Sequence, residues 1–108
     1  QKTNLAGECA AAVTSVVRLD SRTVGYLQIR HEPHRVYLQN IALHPEFRNK
    51  GIGTALLNEV KVAATARQVP VELAVFRTNG AARRFYERRG FLRTGASKTH
   101  VGMSRRAG

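Results

Sequence analysis

The chain is 108 residues long, 43% apolar, and carries a formal net charge of +11. That length supports one domain with a core of its own, taken as residues 1–108, and that apolar share excludes a disordered polymer. Five of the eighteen Lys and Arg residues (Lys2, Arg18, Arg22, Arg30, Arg35) precede Arg48, leaving thirteen from there on, a field that draws in anions and repels polycations.

The first nine residues carry no strong strand pattern and no basic-then-apolar leader, and no apolar run approaches the ~20 residues of a membrane span. A soluble, cytoplasmic protein without membrane contact is expected. Cys9 is the only cysteine, which excludes an internal disulfide and a cysteine-built zinc cluster; no metal is expected. Ala12–Leu19, with Val13, Val16 and Val17, reads as a strand followed by the turn residues Asp20-Ser21-Arg22-Thr23. Residues 24–30 alternate and end at His31-Glu32-Pro33-His34, and Arg35–Leu43 supplies a third strand before His44-Pro45 stops the ladder. The front half is therefore an antiparallel meander.

The period then changes. Ile52, Ala55, Leu56, Val60 and Ala63 fall at helical spacing through about residue 68, and Pro70 begins the next element. Val71, Leu73 and Val75 alternate as a strand leading to Thr78-Asn79-Gly80. Asn79 suits the N-cap of a helix over residues 81–89 and Gly90 suits its stop, while residues 91–93 and 99–104 supply a final hairpin. The order βββ-α-β-α-β(β) predicts an α/β (α+β) fold with a mixed, largely antiparallel sheet, the first helix crossing over to make strands three and four parallel.

Between the meander and the first helix stands Arg48-Asn49-Lys50-Gly51-Ile52-Gly53. A strand ending in a glycine turn that opens into a helix aims backbone N–H groups outward, where they can hold a phosphate. A Walker-type loop needs a lysine and then Ser or Thr after its last glycine, and Ile52-Gly53-Thr54 follows instead. The dinucleotide fingerprint needs Gly or Ala at position 56, where Leu56 stands, and an antiparallel meander is the wrong context for it. The pattern [Arg/Gln]-x-x-Gly-x-[Gly/Ala] fits at Arg48, Gly51 and Gly53.

On that turn, on Ile41-Ala42-Leu43-His44-Pro45-Glu46-Phe47 before it and Gly53-Thr54-Ala55-Leu56-Leu57 after it, and on the block Asn79-x-x-Ala82-x-x-Phe85-Tyr86-x-x-x-Gly90-Phe91, the chain resembles the GNAT N-acetyltransferase superfamily. The resemblance covers roughly residues 12–106. It implies a GNAT-like sheet and an N-acyltransferase that moves an acetyl group from acetyl-coenzyme A to a primary amine by direct attack on the thioester. It assigns the pantetheine arm to the backbone of Ile41, Ala42 and Leu43. The pyrophosphate goes to Arg48, Asn49, Lys50, Gly51, Ile52, Gly53 and Thr54, with further cofactor contacts from Asn79, Ala82 and Phe85. Tyr86 matches the tyrosine that protonates the leaving thiolate.

Many relatives carry a glutamate base near positions 39 and 40, where Gln39 and Asn40 stand here, neither able to accept a proton at neutral pH. Glu72 is taken as the catalytic carboxylate, with His44, His31 and His34 as the other candidates. Relatives begin with a strand and two helices that help wall the amine site, and this chain is expected to be a short member in which that wall is missing or reduced. A homodimer covering the open side of the sheet follows as an expectation, as does a protein or compact, non-cationic amine acceptor. Two other readings stay open. One is a catalytically silent acyl-coenzyme A binding or sensing module. The other is a basic nucleic-acid-binding domain, although only Phe76, Phe85, Tyr86 and Phe91 accompany the basic half and no reading motif organises them, so nucleic acid is not the expected partner.

Overall fold

The computed structural model describes residues 12–48 and 50–107. Strands β1 (Ala12–Leu19) and β2 (Arg22–Glu32) are joined by Asp20 and Ser21 alone, Asp20 taking a left-handed φ of 58°. So tight a turn leaves Arg22 and Thr23 free to pair with Leu19 and Arg18, which makes β2 longer than the alternation of residues 24–30 suggests. At the far end Glu32 pairs with Arg35, the first residue of β3 (Arg35–Leu43), and its carboxylate holds both Arg30 and Arg35. Only Pro33 and His34 remain as turn.

One residue in β3 reverses which side faces the core. Gln28 pairs with Asn40 but Ile29 pairs with Leu38, so Gln39 is an extra residue in the ladder. Before it Val36 and Leu38 face inward, and after it Ile41 faces inward opposite Leu27. The bulge therefore shifts the side-chain phase at the point where the strand reaches the cleft.

A short 3-10 turn, Pro45–Phe47, leads towards helix α1 (Ile52–Ala66). Its end falls before residue 68 because Gln68 turns left-handed at φ 59°, with Gln68 N–H donating to Thr65 O (2.9 Å) and Val69 N–H to Ala64 O (3.0 Å). This is a Schellman close built without glycine. Strand β4 (Val71–Phe76) follows, then α2 (Gly80–Glu87), β5 (Leu92–Ala96) and β6 (His100–Arg105). Helix α2 closes in the same manner around Gly90, φ 93°, so Arg88 and Arg89 lie in its terminal turn instead of the helix body.

The sheet order is β1-β2-β3-β4-β6-β5, with only β3 and β4 parallel, as the crossover through α1 requires. Val36, Leu38, Val71, Leu73, Val75, Val101 and Met103 form the inner face, and Leu57, Val60 and Ala64 of α1 pack on it with Phe91. Ala82, Phe85 and Tyr86 of α2 join the same cluster. Strand alternation puts Val16, Tyr26, Phe76 and Leu92 on the other face, where all four are exposed. Among the described residues no helix is long and apolar enough to cross a membrane.

Candidate functional site

Strands β3 and β4 are paired only at their beginnings. Val36 N–H donates to Pro70 O (2.9 Å), the ladder continues through Val36 with Val71 and Tyr37 with Glu72, and then the strands diverge. The divergence leaves the backbone of residues 40–43 without a strand partner on the β4 side, and an open cleft forms between the two.

Helix α1 starts at the mouth of that cleft. Gly51 is its N-cap, with φ 83° and ψ −2°, and no side chain caps it. The first amide turned back into the helix is that of Ala55, on Gly51 O (3.0 Å), so the N–H groups of Ile52, Gly53 and Thr54 lack intrahelical acceptors. A Cβ on Gly51 would meet nothing within 4 Å, and one on Gly53 would sit 3.6 Å from Phe85 Cζ. Together these features suit an anion: uncapped donors, the positive helix end, and open space over Gly51.

The cleft has a volume of about 800 Å³ and is bounded by Ile41, Ala42, Leu43, Arg48, Gly51, Gly53, Thr54, Asn79, Ala82, Phe85 and Tyr86. The fold thus brings most of the sequence-predicted binding residues to one surface. Lys50 is exposed and Ile52 half-buried, and neither lines the cleft; Asn49 lies outside the described residues. Arg48 Nε donates to Leu43 O (3.3 Å), linking the turn to the end of β3. Asn79 caps α2 by accepting from Ala82 N–H (3.0 Å).

Tyr86 stands where this cleft meets a smaller one of about 420 Å³ that runs along β4. Its ring is set edge-on to Phe85 (centroids 5.1 Å) and Phe91 (5.5 Å). Burial pushes its phenol up from the ordinary value, which keeps it protonated at neutral pH. Among the described residues its hydroxyl has no hydrogen-bond partner, so the proton is not committed elsewhere.

Arg89 was not legible as a site residue, because its role depends on where the two helices meet. Its Nε and Nη2 donate to Thr54 Oγ1 (3.1 and 2.7 Å), Nη1 donates to Phe85 O (2.7 Å), and its guanidinium lies 3.7 Å from the Phe85 ring centroid. It clamps the start of α1 to the end of α2. The four-residue spacing of Phe85 and Arg89 is the one signal of this in the sequence. Among the described residues the ion pairs use Arg22, Arg30 and Arg35, so no cation from Arg48 onward has a carboxylate partner. The cleft mouth keeps its positive field.

The candidates for a base are corrected by the structure. Glu72 does not reach either cleft: its carboxylate accepts from Arg35 Nη1 (2.9 Å) and Ser104 Oγ (3.4 Å), at the paired end of β3 and β4. His31 lies against Arg67 (3.4 Å), and His34 sits in the exposed hairpin turn. His44 is exposed past the end of β3 and lines neither cleft.

A family model described as the acetyltransferase (GNAT) family matches residues 4–91. The chain belongs to that family. Among solved structures, it is similar to the PaiA N-acetyltransferase of Thermoplasma acidophilum in complex with coenzyme A, at 23% identity and a TM-score of 0.80 over 88% of this chain and 60% of that one. A GNAT family acetyltransferase from Elizabethkingia anophelis with acetyl-CoA bound shares 15% identity, TM-score 0.77, over 86% of this chain and 74% of that one. Arabidopsis thaliana Naa50 in complex with the bisubstrate analogue CoA-Ac-MVNAL shares 24%, TM-score 0.78, over 85% and 71% respectively. At these identities the likeness is one of fold, and the chain spans 60% of the first of these structures.

Proposed function

We propose that the chain is an N-acetyltransferase that transfers the acetyl group of acetyl-coenzyme A to a primary amine by direct attack on the thioester. The observation that carries this reading is the continuity of three features. An uncapped glycine cradle at Gly51 and Gly53 opens onto the unpaired edge of residues 40–43, which leads to the half-buried phenol of Tyr86. The cradle suits a pyrophosphate, the free strand edge suits an extended amide-bearing arm, and the phenol suits a thiolate in need of a proton.

Acetyl-coenzyme A supplies an activated acyl group. The N–H groups of the β3 edge are the donors available to an oxyanion, and Tyr86 is the acid for the departing sulfur. The CoA and acetyl-CoA in the similar structures support this cofactor class. The peptide-bearing analogue on Naa50 supports an amine at a peptide N-terminus as one acceptor class, beside compact small amines. The net charge of +11 weighs against polycationic acceptors.

The test is a panel of primary amines, including neutral and acidic peptide N-termini, polyamines and aminoglycosides, assayed for released coenzyme A thiol and for acetylated product by mass. Turnover with non-polycationic amines is expected. Tight acetyl-coenzyme A binding with no product across the panel would instead favour a silent binding module, which the amides at Gln39 and Asn40 would suit.

A further inference from the structure

A primary amine is largely protonated at neutral pH and must lose a proton before its lone pair can attack. None of the residues described above is placed to take it, since His31, His34 and His44 line neither cleft. Glu72 is held by Arg35, and Arg48 and Arg89 are permanent cations. The smaller cleft beyond Tyr86 holds the group that can.

That cleft is lined by Gln39 and Asn40 of β3, Phe76 of β4, the α2 cap Asn79, Tyr86 of α2, and His100 of β6. The three amides cannot accept a proton, and the Tyr86 phenol is held neutral by burial. His100 is the lining residue, among those described, whose side chain works as a base in the neutral range. Its ring is fixed on two sides. The centroid lies 4.4 Å from that of Phe76, and Nδ1 lies 2.8 Å from Thr99 Oγ1. In the tautomer that donates Nδ1–H to Thr99, Nε2 carries a free lone pair.

The sheet separates this group from the donor's entrance. His100 pairs with Phe76 in the β4–β6 ladder, on the face opposite Val75 and the helices, whereas the glycine cradle opens at the start of α1 on the helix side. Donor and acceptor would then approach from opposite faces and meet where β3 and β4 part.

We propose that His100 is the general base of the reaction, taking the proton from the acceptor amine directly or through one water on the open face of the sheet. This rests on the acyl-transfer reading above. The ammonium gives one proton to Nε2, and the freed lone pair forms the C–N bond at the acyl carbon. The C–S bond breaks, and the sulfur takes its proton from Tyr86. The remaining surplus N–H proton restores the phenol, and His100 releases its proton to solvent. The charged groups on segments beside the imidazole are cations: Arg77, whose N–H donates to Thr99 O (2.8 Å), and Lys98 in the β5–β6 turn. The facing groups from β3 are uncharged amides, Tyr86 is the titratable group from α2, and the paired β5 residues Gly95 and Ala96 carry no charge.

The experiment compares wild type, His100→Gln and His100→Ala, using the fastest acceptor from the amine panel. It follows kcat/KM from pH 5 to 9 and acetyl-coenzyme A affinity by calorimetry. His100→Gln is expected to lower kcat/KM roughly 100-fold, to remove the acid limb of the pH profile, and to leave cofactor affinity unchanged. Added imidazole should restore part of the rate to His100→Ala. An active wild type whose pH profile survives His100→Gln overturns the assignment alone. A wild type that binds acetyl-coenzyme A and acetylates nothing overturns the acyl-transfer reading and this assignment with it.

Discussion

Replacing Gly51 by Asp and, separately, by Asn isolates a single charge at the turn. Gly51 sits at φ 83° with no atom within 4 Å of where a Cβ would stand, so both side chains fit sterically. Asn and Asp are also the non-glycine residues that best tolerate left-handed backbone, and each should lower apo stability by a similar amount, up to about 1 kcal/mol. The two variants differ only in the carboxylate they offer to the bound pyrophosphate. Unit like charges ~4 Å apart repel by about 1 kcal/mol in bulk water and about 4 kcal/mol at an effective dielectric near 20. Gly51 is exposed, which places the effect in the lower part of that range. A cost of about 1–2.5 kcal/mol corresponds to a roughly 5- to 60-fold rise in Kd for Gly51→Asp over Gly51→Asn. Isothermal titration with acetyl-coenzyme A reads the ratio, and added salt should shrink it. Equal affinities in the two variants would refute a phosphate site at this turn.

Gly53→Ala should raise apo Tm by about 2–4 °C, since alanine is the better helix former and its methyl would only touch the Phe85 ring at 3.6 Å; a fall in Tm would mean the helix start is crowded. Gly25→Ala should act in the opposite direction, because its Cβ would lie 2.0 Å from Ala42 O. Forcing β2 from β3 there costs about 2 kcal/mol, or roughly 8–16 °C of Tm, and an unshifted melting curve would contradict the register. Tyr86→Phe should lower kcat about 100-fold at unchanged acetyl-coenzyme A affinity and melting temperature, since the hydroxyl has no hydrogen-bond partner among the described residues; an unchanged kcat removes it as the acid. Glu32 is held below the usual carboxylate value by hydrogen bonds from Arg35 and then Arg30, so its contribution is full above the unfolded carboxylate pKa. That contribution is lost as pH falls through the lower, folded value. Acid titration of stability should therefore flatten below about pH 4.5 in Glu32→Gln relative to wild type.

The strands, both helices and the parallel crossover were legible because alternation, helical spacing and the stops at Pro45, Pro70 and Gly90 all agreed. Boundaries shifted where a turn used a residue with no strong turn signature. Gln68 closes α1 in a left-handed conformation that composition does not announce, and the Asp20-Ser21 hairpin is tighter than four polar residues suggest. The bulge at Gln39 did leave a mark, since the apolar residues Val36, Leu38, Ile41 and Leu43 skip one position between 38 and 41.

At the site, motif residues close together in the chain were readable, whereas those assembled by tertiary contacts were not. Arg89 meets Thr54 only because α2 ends beside the start of α1. His100 reaches the cleft only because β6 pairs with β4. Glu72 failed as a candidate for the converse reason. Its strand was identified, but the pairing of Tyr37 with Glu72 puts its carboxylate beside Arg35, at the closed end of the splay.

The most direct test of the central claim is a nitrogen-15 amide titration of the protein with acetyl-coenzyme A. Saturable shifts at Gly51, Ile52, Gly53 and Thr54, continuing through Ile41, Ala42 and Leu43, are the predicted result. Shifts that leave these amides still, or that spread over the basic surface without saturating, would contradict a cofactor site in the cleft between β3 and β4.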